Sequence, residues 1–349
     1  MAQVLDIQPD DRLLVSRTDR IGDLVLALPL VETLKARYPE CGVDVMASLY
    51  ASPILENNPG INGIVRVQND QVVSSRHYRN DLERRIKKAG YKAVVVLYPE
   101  RHISRLLYRT GLPVRIGTAG RFHSVFFTHR LVHSRKANKK HESEYNLDFL
   151  AYFRDGETIR RPVVCPTEKE LKNARRILDD CGAENRFVVV HPGSGGSAER
   201  WPMERFVRLH DLLNRSGRSA VITGSEAEGA AIRRIAADAA IMIKEITGQT
   251  DLRTLAAILS LASTVVANST GPLHLAVAVG TKVVGLYPGR QIMSPVRWGP
   301  LGEGHRVIQP GVDQCRCPEG QCRCMETITV EQVAEAAGAV YDDAIGKQA

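Results

Sequence analysis

The sequence predicts an α/β protein of two Rossmann-like domains, each a parallel sheet flanked by helices, and three observations lead there. Short apolar runs alternate with amphipathic segments along the chain, the pattern of strands joined by helical crossovers. The alternation is interrupted at Arg161-Pro162 to Pro166, where two prolines flank a short extended run that reads as a linker. At 349 residues the chain is long enough for a separate core on each side of that linker. The expected division is residues 1–162, residues 163–328 and a terminal helix over 329–349 packed on the body.

In the first half, Arg12-Leu13-Leu14-Val15-Ser16 reads as a strand, and Gly22-Asp23 leads into a helix over residues 24–38, stopped by Pro39. Residues 42–47 form a second strand and 92–98 a later one, closed by Pro99, while 141–153 carry helical apolar spacing. In the second half, a helix over 168–181 precedes a buried strand at 186–192, which runs into a Gly/Ser loop. A helix over 201–216, a strand at 219–224 and a helix from about Glu226 follow. Residues 252–261 are helical, 264–268 a strand, 274–279 a helix and 281–286 the next strand. Such sheets bind ligands beyond the carboxyl ends of their strands, so the expected site is a cleft between the domains. The chain has no GxGxxG fingerprint and no GxxxxGK[ST] sequence, which takes support from dinucleotide redox chemistry and P-loop hydrolysis.

Composition narrows the class. A hydrophobic content of 44% with 25% charged residues is that of a globular protein, without long disorder. No apolar run reaches the roughly 18 residues of a spanning helix. The opening MAQVLDIQPDD is acidic and lacks the order of a signal peptide, so a cytoplasmic location is expected. The charge is uneven: residues 76–140 hold 17 Lys/Arg against 3 Asp/Glu. A block of that kind attracts a phosphorylated or carboxylated substrate, an anionic membrane surface or nucleic acid, or is a solvated basic face. Nucleic acid comes last, because neither an RRM signature nor zinc-finger spacing is present.

Two loops carry the chemistry of an anion site. Asn268-Ser269-Thr270-Gly271-Pro272-Leu273-His274 joins a strand to a helix, whose first N–H groups are unpaired and suit a diphosphate. Ser269 and Thr270 add hydroxyls, Gly271 permits close backbone approach, Pro272 fits the first helical turn, and His274 lies one turn in. The plainer reading makes the hydroxyls a helix cap and His274 a packed core residue. The second loop, from His191-Pro192-Gly193-Ser194-Gly195 through Ser197 and Arg200 to Trp201-Pro202, also follows a buried strand, and Trp201-Pro202 reads equally as a packing corner. In the first half, Arg20-Ile21-Gly22-Asp23 stands where the first strand meets the first helix; a carboxylate there is a cap, a general base or both.

Together, Arg20-Ile21-Gly22-Asp23, His191-Pro192-Gly193-Ser194, Arg200-Trp201-Pro202 and Thr270-Gly271-Pro272-Leu273-His274-Leu275-Ala276 resemble glycosyltransferase family 9, the ADP-heptose:lipopolysaccharide heptosyltransferases, of GT-B fold. The ending, Cys324-Met325 with Ile328, Glu331 and Val333, is similar to that family's too. The resemblance implies an inverting transfer with Asp23 as general base and no cofactor or metal, the donor being an ADP-sugar. It implies that Ser194, Gly195, Ser197, Arg200, Ser269, Thr270, Gly271 and His274 hold the donor diphosphate, with Glu226 or Glu228 at its ribose and Thr250 at its base. The acceptor would be an anionic glycolipid core met by Arg20, Arg101, Arg121, Lys136, Lys140 and His141, with peripheral contact at the inner face of the cytoplasmic membrane and no role for nucleic acid.

Two letters depart from the family pattern: Ser269 stands where an Asp usually precedes the Thr-Gly, and Glu199 where a Lys usually stands two residues before the Trp-Pro. They leave the donor sugar and nucleotide open, and keep a non-catalytic nucleotide- or glycan-binding member as the alternative. A nucleotide-sugar epimerase is a further one, though it would have no use for the basic first half. Cys315, Cys317, Cys322 and Cys324 are four thiols in ten residues, able in principle to hold a metal, but their CxC spacing is tighter than a zinc ribbon's, and reduced cysteines are expected.

Overall fold

The computed structural model describes residues 4–120, 122–193, 199–311, 315 and 323–343, with the side chain of Lys136 excepted. The chain divides into two compact units, Met1–Val163 and Val164–Ala349. Each is built on one wholly parallel sheet, and together they are the Rossmann-like pair of a GT-B fold.

The first unit has six strands: β1 (Arg12–Ser16), β2 (Gly42–Ser48), β3 (Gly63–Val67), β4 (Ala93–Val96), β5 (Val114–Thr118) and β6 (His129–Leu131). Their order across the sheet is β3-β2-β1-β4-β5-β6, so the chain reverses direction of growth between β1 and β4. Leu13 pairs with Val43 on one side and Ala93 on the other, which fixes the register at the centre. The apolar runs that predict β1 and β4 are buried on both faces, as a parallel sheet under helices demands. Strands β3, β5 and β6 went unread in the sequence, because each mixes charged or small residues into an edge-side position. At Gly117 a Cβ would lie 2.3 Å from the Phe127 ring, so the glycine lets that ring close over β5.

The helix expected over residues 24–38 is two helices, Ile21–Val25 and Leu28–Arg37. Pro29 explains the break: it lacks the N–H that would bond to Val25, and its ring crowds that carbonyl. The segment expected to be helical over 141–153 is an α-helix only at Glu142–Leu147 and tightens to 3₁₀ over Asp148–Tyr152. Among the described residues, no helix is long and apolar enough to cross a membrane.

The second unit holds β7 (Val188–His191), β8 (Ala220–Ile222), β9 (Thr264–Asn268), β10 (Val283–Leu286) and β11 (Arg306–Ile308) in the order β11-β10-β9-β7-β8. Here the reversal falls between β7 and β9. The helix Val330–Asp343 packs into this unit's core: Val333, Ala337, Val340 and Tyr341 share a cluster with Trp201, Phe206 and Val266. Helices Glu168–Asp180 and Glu226–Asp238 each open on a capping box, Thr167 with Glu170 and Ser225 with Glu228.

Candidate active site

In both sheets the reversal point opens a crevice at the carboxyl ends of two adjacent strands, where open parallel sheets bind ligands. In the first unit those ends are Ser16 on β1 and Val96 on β4. The loops beyond them are joined by a hydrogen bond from the Thr18 hydroxyl to Glu100, 2.8 Å. Asp23 lies in the first turn of Ile21–Val25, just past β1, and is only partly exposed. Its carboxylate accepts a short hydrogen bond from Nη2 of Arg17. Arg17 is 3% exposed and forked among three acids: Nε donates to Asp19 at 2.7 Å and Nη1 to Glu142 at 3.2 Å. The Tyr98 ring faces the same guanidinium.

Burial is the largest influence on Asp23 and raises its pKa, against the opposing pull of Arg17; the negative charges of Asp19 and Glu142 raise it further, and the result is about 6. Burial works against the charge on Arg17, but the three carboxylates overcome it and hold the guanidinium protonated. Arg20 occupies the N-cap position of the Asp23 helix and is exposed; Arg101, also exposed, heads the helix Arg101–Arg109 directly after Glu100. Both therefore stand at the β1/β4 crevice with Asp23. Lys140 instead pairs with Asp148 at 2.7 Å. His141 caps the helix Glu142–Leu147, its Nδ1 accepting from the Ser143 N–H at 3.2 Å. Arg121 and the side chain of Lys136 lie outside the described residues.

In the second unit the two predicted loops leave β7 and β9, the strands flanking the reversal. Asn268 ties them together: its Oδ1 accepts from the Trp201 N–H at 3.0 Å, and its Nδ2 donates to the Pro192 carbonyl at 2.9 Å. One fully buried amide thus pins both flanks of the loop between residues 192 and 201 to the end of β9. Sequence reasoning placed Asn268 in the motif without giving it that task. Its available signal was an amide ending an otherwise apolar strand, where a buried polar side chain must find partners. Arg17 was missed as well, and so was its pairing with Glu142, a residue of the segment from Arg135 to Tyr145 that resembles the family's acceptor-side loop; the two meet across 125 positions of sequence, and only the fold joins them.

The helix expected over residues 274–279 begins three residues earlier, at Gly271, and runs to Ala278, with Thr270 at its N-cap and Pro272 in its first turn. Thr270 makes no side-chain cap, its hydroxyl donating instead to the Asn268 carbonyl at 3.2 Å; Leu273 and His274 donate their N–H groups to the Thr270 carbonyl and Pro272 has none, so what the helix N-terminus offers an anion is the Gly271 N–H and its dipole. His274 is buried on that helix. Ser269 bonds through its N–H to Leu286, and its hydroxyl meets that of Tyr287. Trp201 is a packing corner, donating through Nε1 to Ile328 and stacking edge-on with Phe206.

Glu199 sits 3.6 Å from Arg290, while Arg200 is exposed. The acid that replaces the family's lysine therefore faces an arginine from the segment after β10. His191 holds the Thr223 hydroxyl at Nδ1, 2.8 Å, and burial pushes its pKa down to about 4 against the raising influence of Glu228. Glu228 closes the capping box with Ser225 and borders Gly193, where a Cβ would meet Glu228 at 2.7 Å and His191 at 2.9 Å. Glu226 pairs with Arg233 at the surface, and Thr250 precedes the N-cap Asp251 of the helix Leu252–Leu261. Ser194, Gly195, Ser197, Cys317 and Cys322 lie outside the described residues; Cys315 and Cys324 both pack on the core of the second unit.

The description glycosyltransferase family 9 (heptosyltransferase) matches residues 79–327, well over half of the chain. The chain belongs to glycosyltransferase family 9. It is 26% identical over 315 residues to a putative glycosyltransferase of Haemophilus influenzae, covering 85% of this chain and 88% of that one. It is also 26% identical over 274 residues to lipopolysaccharide heptosyltransferase 3 of Escherichia coli K12, covering 76% and 79%. Among solved structures, the E. coli ADP-heptose lps heptosyltransferase II superposes with a TM-score of 0.78 at 23% identity, over 97% of this chain and 100% of that one. That superposition establishes the shared fold.

Proposed function

We propose that this glycosyltransferase moves a heptose from ADP-heptose to an anionic, lipopolysaccharide-core type acceptor with inversion, Asp23 being the general base. The observation that carries the reading is Asp23 itself, a partly buried carboxylate at the reversal point of its sheet whose proton affinity is set near physiological pH. Its oxygen takes the proton of an acceptor hydroxyl as that oxygen bonds to the anomeric carbon. The bond from that carbon to the diphosphate breaks on the opposite face, the electron pair leaving with the nucleotide. The N-terminus of Gly271–Ala278 and the loop pinned by Asn268 receive the negative charge, electrostatic stabilisation that asks for no metal.

The relatives' names supply the heptose and the lipopolysaccharide. Exposed Arg20 and Arg101 beside Asp23 fit an acceptor bearing carboxylates or phosphates. We also assign the protein to the cytoplasm, docked peripherally on the inner membrane. Phe122 and Val132 are each 84% exposed and Val125 is 62% exposed, in a segment where Arg101, Arg105 and Arg130 are also exposed. Apolar side chains among cations suit an anionic bilayer surface.

A thermal-shift screen with ADP, UDP, GDP and their sugars tests the donor, and transfer by Asp23→Asn tests the base. Stabilisation by ADP-sugars, with transfer lowered about 10²- to 10⁴-fold in D23N at unchanged donor affinity, is the expected result. Ser269 and Glu199 favour a second reading, a different sugar nucleotide, since they stand where the family has Asp and Lys and are engaged with Tyr287 and Arg290. Indifference to every nucleotide would leave a non-catalytic binding module.

A further inference from the structure

Three carboxylates and two arginines form one network in the first unit, with Arg17 and Glu142 buried and Asp19, Asp23 and Arg135 partly exposed. Arg17 reaches Asp19, Asp23 and Glu142, and Arg135 reaches Glu142 through Nε at 3.2 Å. Arg135 is held in turn by His133 at 3.0 Å, by Oδ1 of Asn146 at 3.5 Å and by the face of Tyr145. His133 itself faces Asp148, which Lys140 pairs. Asn146 donates to the Leu26 carbonyl at 3.0 Å, so the segment that carries Glu142 is fastened to the helix that carries Asp23.

Glu142 is 1% exposed. A carboxylate so deeply buried is costly unless its partners compensate it, and its oxygen Oε1 takes bonds from both arginines. Its effect on Asp23 follows from counting charges. An arginine given wholly to one aspartate depresses that acid's pKa by one to three units and spoils it as a base near neutrality. Here the single charge of Arg17 is divided among three acids, and Arg135 balances only the Glu142 end. Arg20, the other cation bearing on Asp23, acts more weakly than Arg17.

Resting on the reading of Asp23 as base, we propose that Glu142 is a positioning residue for it. By occupying one arm of the Arg17 fork and adding its own negative charge, Glu142 keeps Asp23 able to accept the acceptor's proton. Removing that charge while keeping the shape lets Arg17 serve Asp23 more fully.

The test titrates Asp23 in the intact free protein by carboxyl carbon NMR, its signal assigned by disappearance in D23N. In Glu142→Gln the midpoint moves down by about one pH unit or more. In Glu142→Asp, which retains the charge, it stays near the wild-type value. The acid limb of kcat/KM for transfer moves with the midpoint. A residue that only holds the loop in place would lower activity without moving either. Coincident midpoints in wild type and E142Q overturn the proposal; if E142Q folds poorly, Arg135→Met provides a second arm, with a midpoint shifted upward by the loss of a cation beside Glu142. Undiminished transfer by D23N would instead remove the base assignment, leaving the titration to report on Glu142 alone.

Discussion

Replacing Asn268 with alanine removes the side chain that joins the two loops of the proposed donor site, and the cost can be worked from its contacts. Two buried backbone groups lose their partners together, the Trp201 N–H at 3.0 Å and the Pro192 carbonyl at 2.9 Å. Each buried group left unsatisfied costs about 1–3 kcal/mol, so the pair comes to about 2–6 kcal/mol, and to about 3 kcal/mol where the freed groups partly re-pair with water. Both tryptophans, Trp201 and Trp298, belong to the second unit, so fluorescence in urea follows the unfolding of that unit without interference from the other. With a denaturant slope of about 2 kcal/mol per molar, the midpoint should fall by about 1.5 M. ADP affinity, measured by calorimetry on the folded variant, should fall at least about tenfold, equivalent to about 1.4 kcal/mol, as the loop flanks come loose. Asn268→Asp keeps an acceptor for Trp201 but sets an anionic oxygen against the Pro192 carbonyl, and should be no better than alanine. A midpoint within about 0.5 M of wild type, with ADP affinity intact, would refute the view that this amide organises the site.

Arg253→Met should destabilise the second unit by about 3 kcal/mol, because Arg253 holds both Glu170 and the Cys165 carbonyl at 2.7 Å. The hydrogen bonds from Arg253 draw Glu170 down to about 2, so this stabilisation is present above the ordinary carboxylate range and is lost as pH falls toward 2; urea melts of R253M should show a flatter acid limb. Asp23 runs the other way: its folded pKa is raised, so the cost of its charge appears as pH rises from about 4 through 6. Chemical denaturation should find D23N gaining about 3 kcal/mol on wild type across that interval and no more above it. Glu199→Lys breaks the pair with Arg290 and places two cations near the diphosphate loops. ADP affinity should rise several-fold in calorimetry, and an unchanged value would show that position 199 lies out of the anion's reach. Phe122→Ser with Val125→Ser should reduce co-sedimentation with vesicles containing anionic lipid at least about fivefold, these being the i and i+3 positions that eclipse on one face of a 3₁₀ turn; equal sedimentation would mean that the surface is not membrane-facing.

Much of the architecture was legible in the chain itself. Short apolar runs such as Leu13-Leu14-Val15 and Val188-Val189-Val190 read as strands buried on both faces, and the Thr270-Gly271-Pro272 sequence after a strand favours a helix start. The break at Pro29 was also written there and was passed over, since residues 24–38 keep their helical apolar spacing across it. Edge strands such as His129–Leu131 were not legible, because at an edge the neighbours decide pairing and local composition says little.

For the functional residues the division is sharper. By itself the sequence determined which groups are available: a carboxylate after the first strand, a helix N-terminus after β9 and a Gly/Ser loop after β7, all of them local features that short segments encode. Tertiary structure alone decided what those groups are worth. The proton affinity of Asp23 depends on burial and on sharing Arg17 with Glu142, more than a hundred residues away, and the anchoring of Pro192 and Trp201 depends on Asn268 from another strand. Electrostatic and desolvation energies are set by distances through space, and only folding assigns those.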